Sequence, residues 1–143
     1  MMLDQNRRAL RQLYFDVWQK FSARKPLSAL ENQIAAVIEA HPDYHACLSD
    51  ESKLEQDYRV EAGAENPFLH MGLHLALNEQ VTTDRPCGIS ALYQQRCVKL
   101  RDKHLAQHQM MEILADCLWQ AQRANMPPDE NAYLNALRAL TRK

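Results

Sequence analysis

The stretch "LRQLYFDVWQKF" (residues 10–21) decides the fold class, because its apolar side chains recur at three- and four-residue steps. These apolar positions are Leu10, Leu13, Tyr14, Val17, Trp18 and Phe21. Side chains at these steps share one face of an α-helix, whereas a half-buried strand would alternate apolar and polar residues. The pattern therefore predicts a first helix that ends before Pro26.

The same spacing continues through the first third of the chain, and its helix boundaries carry recognisable signals. A second helix begins at a capping box, with Ser28 as N-cap and Glu31 three residues later. It runs to His41, because Pro42 pushes the residue before it out of the α region. A short helical turn over residues 43–48 is expected to follow.

Residues 66–143 repeat the helical pattern after a long polar segment. Asn66 as N-cap and Pro67 at the first helical position predict a helix start. The helices predicted in this part cover residues 66 to about 81, 89 to about 125, and 130–141. The sequence leaves open whether the second of these is one helix or two, with the division near Asp102. The segment "SDESKLEQDYRVEAGAE" (49–65) has no sustained period and is predicted to be a long loop, of the kind that is often functional or mobile.

Scarce glycine, the absence of strand-type alternation and long amphipathic segments together indicate an all-α protein. We predict a helical bundle of about five to seven helices, folded as a single domain over residues 1–143. Helical spacing also places large apolar side chains in the core. The large side chains predicted there are Met71, Met110, Met111, Trp18 and Trp119.

Composition indicates which classes of partner the protein is expected to have and in which cellular compartment we expect it. With 17 basic and 18 acidic side chains the net charge is -1, which gives no overall basic field for nucleic acid. No apolar run approaches the roughly 20 residues of a membrane span, and the first residues lack the apolar core of a signal peptide. We therefore expect a cytoplasmic protein with neither membrane nor nucleic-acid partners. Four widely spaced cysteines without a C-x-x-C motif are expected to be thiols: Cys47, Cys87, Cys97 and Cys117.

The histidines carry most of the chemical information. All six fall into pairs four residues apart: His41 with His45, His70 with His74, and His104 with His108. Random placement of six histidines in this chain would give about 0.2 such pairs, so coincidence is a poor explanation. Residues four apart on a helix have Cβ atoms about 5–6 Å apart, which allows two imidazoles to bind one ion.

Two of these pairs lie on apolar helix faces and are the first choice for metal ligands. The predicted ligands are His70, His74, His104 and His108, with Glu112, one turn after His108, as a carboxylate ligand or a base. The expected cofactor is a divalent transition metal, with zinc or iron favoured by the imidazole donors. Pro42 interrupts the helix between His41 and His45, so this pair either contributes to the site or has a structural or surface role. In the second case His41 would cap the second helix.

Two classes of function fit these features. The first is a metal-binding helical bundle, hydrolytic or redox in activity, whose substrate the sequence does not identify. The second is a non-enzymatic interaction or structural protein, such as a homodimer, whose core histidines hydrogen-bond one another. An enzyme with Cys117 as nucleophile ranks third, because nine residues separate Cys117 from His108 and place the two on opposite sides of one helix.

Several separate segments carry a family resemblance along nearly the whole chain. In order, these are "HPDYH", "NPFLHMGLHLALNEQ", "DRPCGI", "HLAQHQMMEIL" and "LWQAQRANMPPDENAYLNAL". Together they resemble the bacterial family called domain of unknown function 1841. The resemblance implies a small, cytoplasmic, stand-alone bacterial protein, and it assigns no catalytic residues.

Overall fold

A computed structural model describes residues 2–50, 52 and 66–143, with side chains from Arg8 onward. These residues form six α-helices and two short 3-10 turns, and no strand occurs among them. The elements are α1 (Met2–Ser22), α2 (Ala29–Glu39), the turns Pro42–Tyr44 and Cys47–Ser49, α3 (Pro67–Thr83), α4 (Ile89–Leu100), α5 (Lys103–Ala124) and α6 (Glu130–Thr141). The all-α class predicted from the sequence is confirmed. The chain divides into two compact units, Met1–Gly72 and Leu73–Lys143.

The helix boundaries follow the capping signals of the sequence. The break near Asp102 is real, because α4 ends at Leu100 and Arg101 adopts a left-handed φ of 55°. The Asp102 side chain then accepts a hydrogen bond from the backbone of Leu105 at 3.0 Å and caps α5. Of the predicted loop 49–65, residues 51 and 53–65 lie outside the described residues.

The core of the Met1–Gly72 unit comes from α1, α2, the second 3-10 turn and the first residues of α3. Its buried apolar side chains are Tyr14, Phe15, Val17, Ile34, Ala35, Val37, Ile38, Leu48, Phe68 and Met71. Tyr14 and Phe15 both pack on the Phe68 ring, with centroids 5.9 and 6.4 Å away. Leu10, at the start of the apolar stripe that predicts α1, is 54% exposed.

The Leu73–Lys143 unit has its own core, to which the four helices of this unit contribute. Its buried members are Leu77, Ile89, Met110, Met111, Leu114, Tyr133, Leu134 and Leu137. The core positions predicted for Met110 and Met111 are confirmed. The same prediction for Trp119 is wrong, because its side chain is 55% exposed and lies against the Arg123 guanidinium. Trp119 is about 140° around α5 from the buried Leu114, so helical spacing alone misplaced it.

The prediction that no segment spans a membrane can be compared with the length and hydropathy of the helices. Among the residues that the structure describes, no helix combines the length and hydropathy that a bilayer span requires.

The start of α2 shows how local hydrogen bonds join two helices of the Met1–Gly72 unit. Ser28 Oγ accepts from the Glu31 backbone N–H at 3.2 Å, and Glu31 Oε1 accepts from the Ser28 N–H at 3.0 Å. Lys20 of α1 donates to Glu31 Oε2 at 2.7 Å. The hydrogen bonds from Lys20 and from the Ser28 backbone lower the pKa of Glu31 below its ordinary value.

Replacing the N-cap tests this capping box. We expect Ser28→Ala to lower the free energy of unfolding by about 1 kcal/mol, because one backbone N–H of α2 loses its acceptor. Urea denaturation followed by circular dichroism measures the change. Ser22→Ala, at an exposed position in the last turn of α1, is the matched control and should stay within about 0.5 kcal/mol of the wild type. Equal losses in both variants would contradict the capping role.

The lowered pKa of Glu31 predicts the direction in which the free energy of unfolding changes with pH. Its folded-state pKa lies below the unfolded one, so its stabilisation is present above the unfolded pKa and is lost as pH falls through the folded pKa. Glu31→Gln keeps an N3 acceptor but removes the charge. We expect this variant to be less stable than the wild type at pH 7, with the difference vanishing between about pH 5 and pH 3. A difference that stays constant over that range would contradict the assignment.

Candidate metal centre

Three histidines from two helices converge within the Leu73–Lys143 unit. His74 comes from α3, and His104 and His108 come from α5. A ring nitrogen of each lies within 4.8 Å of a ring nitrogen of the other two. The ring centroids are 4.0 Å apart for His104 and His108, 5.1 Å for His74 and His108, and 5.5 Å for His74 and His104. We call these three residues the histidine triad.

The apolar face of each helix positions the triad. On α3, His74 is only 3% exposed, because it shares a face with the buried Leu77. On α5, His108 is partly buried one turn before Met111, whereas His104, in the first turn, is exposed. The triad therefore extends from the core of the unit to its surface.

The closest contact in the triad joins the Nε2 atoms of His74 and His108, which are 3.2 Å apart. Two nitrogen lone pairs facing each other at this distance would repel. Either one nitrogen must carry a proton and donate it to the other, or a cation must accept both lone pairs. This pair is thus arranged for a shared proton or for a shared metal ion.

A row of polar side chains on α3, α4 and α5 was not predicted from the sequence. The Gln107 side-chain amide makes long contacts with Asn78 Oδ1 at 3.5 Å and with the Tyr93 hydroxyl at 3.4 Å. The helical spacing carried a signal, because Asn78 follows His74 by four residues and Gln107 follows His104 by three.

His70, also predicted as a ligand, lies in the Met1–Gly72 unit with two aromatic neighbours. The His70 and His41 rings are in a T-shaped arrangement, with the centroids 5.0 Å apart and the planes at 78°. The Tyr44 ring lies 6.1 Å from His70 and stacks on His41. Within this unit, His70 therefore belongs to a cluster of three rings.

His41 and His45 both interact with the backbone at the end of α2. His41 Nδ1 is 2.7 Å from the Val37 carbonyl and His45 Nε2 is 2.9 Å from the Ile38 carbonyl. A carbonyl only accepts, so each of these nitrogens carries the proton. His45 also packs on the Trp18 ring, with centroids 4.3 Å apart. Whether His41 acts as a helix cap or contributes to the metal site stays a prediction.

The two remaining candidates lie elsewhere. Glu112 is exposed, and the group of converging ring nitrogens does not include it. Burial raises the pKa of the Cys117 thiol, whose sulfur is 3.9 Å from the Asp129 carbonyl. A raised pKa disfavours the thiolate that a nucleophile requires, which weakens the case for cysteine catalysis.

Comparison with known proteins gives a family and no activity. A family model described as Domain of unknown function (DUF1841) matches residues 6–139. This match confirms the family resemblance seen in the sequence. No curated protein and no solved structure matches the chain. The chemistry of the site therefore rests on its own geometry.

The triad residues are buried to different extents, so replacing them is predicted to change the free energy of unfolding by different amounts when no metal is bound. With a chelator present, we expect His108→Phe to lower the free energy of unfolding by about 1–3 kcal/mol, because buried His74 loses its Nε2 contact at 3.2 Å. His104→Phe changes an exposed ring and should cost less than about 0.5 kcal/mol. Chemical denaturation of both variants measures the difference, and equal costs would contradict a larger contribution of His108 through its contact with His74.

Proposed function

We propose that this chain, which belongs to the domain of unknown function 1841 family, binds a divalent transition-metal ion through His74, His104 and His108. The observation that carries the proposal is the convergence of three imidazole nitrogens from two helices within 4.8 Å. A buried histidine in a helical core more often makes its own single hydrogen bond, to the backbone or to another side chain. Three grouped within 4.8 Å on two helices are consistent with the way facing helices of a bundle form metal sites.

The spacing of the nitrogens supports an ion of the size of zinc or iron. Two nitrogens bound to one tetrahedral zinc at about 2.0–2.1 Å are about 3.3 Å apart. The Nε2 atoms of His74 and His108 are already 3.2 Å apart. The ring of His104 is exposed, so it can turn towards the same point without disturbing the core. Metal binding therefore requires little rearrangement of this unit.

The donor set favours particular ions. Neutral imidazole suits zinc, iron, copper and nickel, whereas magnesium, calcium and manganese prefer oxygen ligands. We infer that the ion is zinc or iron. Bound zinc would supply a Lewis acid and an acidified water for hydrolysis, and bound iron would supply redox chemistry. Three histidines leave at least one position of a tetrahedral ion for a further ligand.

A second function rests on the same contact. At 3.2 Å, Nε2 of His74 and Nε2 of His108 also fit a hydrogen bond between neutral rings. In that case the triad is a polar part of the core in an interaction or structural protein, such as a homodimer. The two functions make opposite predictions about bound metal.

Metal analysis of untagged protein, purified without a metal column or chelator, separates them. We expect about one equivalent of zinc or iron for each chain. In chelator competition with zinc, His104→Ala should weaken affinity at least about 100-fold, because one of three proposed ligands is lost. Since His104 is exposed, this variant is expected to fold.

The matched control is His45→Phe, which also removes one imidazole but from the ring packed on Trp18 in the other unit. It should keep the zinc affinity of the wild type within about twofold. Wild-type protein that binds no metal after refilling with zinc, iron, copper and nickel in turn would contradict the metal function. Such a result, with a dimer that dissociates in His108→Phe, would favour the interaction protein.

A further inference from the structure

The charge of the triad determines which further ligand an ion bound there would take. All three donors are neutral imidazoles, and in the described part of the chain no carboxylate or thiolate belongs to the group of converging donor atoms. Many zinc and iron sites include Asp, Glu or Cys ligands that cancel part of the charge of the ion. A divalent ion held by the triad would keep its full charge of about 2+.

The burial of His74 makes the charge of an ion bound to the triad energetically unfavourable. His74 is 3% exposed, so the side of the ion towards α3 would be out of water. A buried charge is unfavourable unless it is paired or well solvated, because the protein interior has a low dielectric constant. Glu112, the acidic residue one turn beyond His108, is exposed and lies outside the group. The compensating charge must therefore come from another source.

The surface end of the triad provides access for such a ligand. His104 is exposed in the first turn of α5, so an ion bound beside it would face solvent on that side. A small molecule from solution could reach the ion there without passing through the core. A neutral molecule leaves the charge unchanged, whereas an anion, including the hydroxide that bound water can form, lowers it, so an anion is favoured at this position.

From this combination of charge, burial and access, we propose that the ion of the triad takes a small anion of the carboxylate or oxyanion class as its exogenous ligand. The inference rests on the metal-binding function proposed above. It narrows the substrate class to molecules that present an anionic oxygen to the metal. Cations and neutral molecules of the same size would bind there less tightly.

Cobalt-loaded protein tests the proposal, because the visible spectrum of Co²⁺ reports changes in its ligands. Acetate and acetamide have nearly the same size and differ in charge, so they form a matched pair of probes. At fixed pH and ionic strength, we expect acetate to change the spectrum with a saturable curve. Acetamide should require at least about a tenfold higher concentration for the same change, or give none. Formate, a second small carboxylate, should behave like acetate.

The controls separate this proposal from the metal-binding function. His45→Phe should bind cobalt and respond to acetate like the wild type, and His104→Ala should lose the cobalt spectrum. Cobalt that binds but gives no response to about 0.1 M acetate or formate would overturn the anion proposal and leave metal binding intact. Equal responses to acetate and acetamide would overturn it as well. Failure of the wild type to bind cobalt would instead count against the metal site itself.

Discussion

The contact between His74 and His108 is the constraint on which the proposed chemistry depends. Their Nε2 atoms meet at 3.2 Å between α3 and α5, with His74 almost fully buried. At this distance two lone pairs require a proton or a cation between them. Buried Leu77 and Met111 lie one turn after His74 and His108 on the same helix faces. Helix packing thus presents a pair of nitrogens that is ready to share one positive charge.

Part of this arrangement could be predicted from the sequence, because helical periodicity determines which side chains share a face. Spacing by four residues correctly placed His104 and His108 side by side on one helix, and capping signals located the start of α5. Periodicity does not determine which faces of different helices meet, since that depends on packing between residues distant in sequence. For this reason the sequence could predict that His74 shares a site with His104 and His108, but only the structure shows that His108 is its closest partner, and Trp119 was misplaced in the core.

Charge separates the two functions that the triad supports. With a proton between His74 and His108, the contact is a hydrogen bond that contributes modestly to stability, and the protein needs no ion. With a metal between them, the free energy of binding adds to the stability of the folded unit, because an unfolded chain has no preformed site. The neutral donors then leave the ion positive, which connects metal binding to the anion class proposed as ligand. The same three histidine rings thus support either a hydrogen bond or a metal site, and measurement can distinguish the two.

X-ray absorption spectroscopy at the metal edge of the zinc-loaded protein tests the central claim most directly. The proposed site predicts nitrogen scatterers at about 2.0–2.1 Å together with the outer-shell pattern of about three imidazole rings, and no sulfur. A sulfur scatterer at about 2.3 Å, or a shell of oxygens without imidazole scattering, would contradict the assignment of His74, His104 and His108 as ligands.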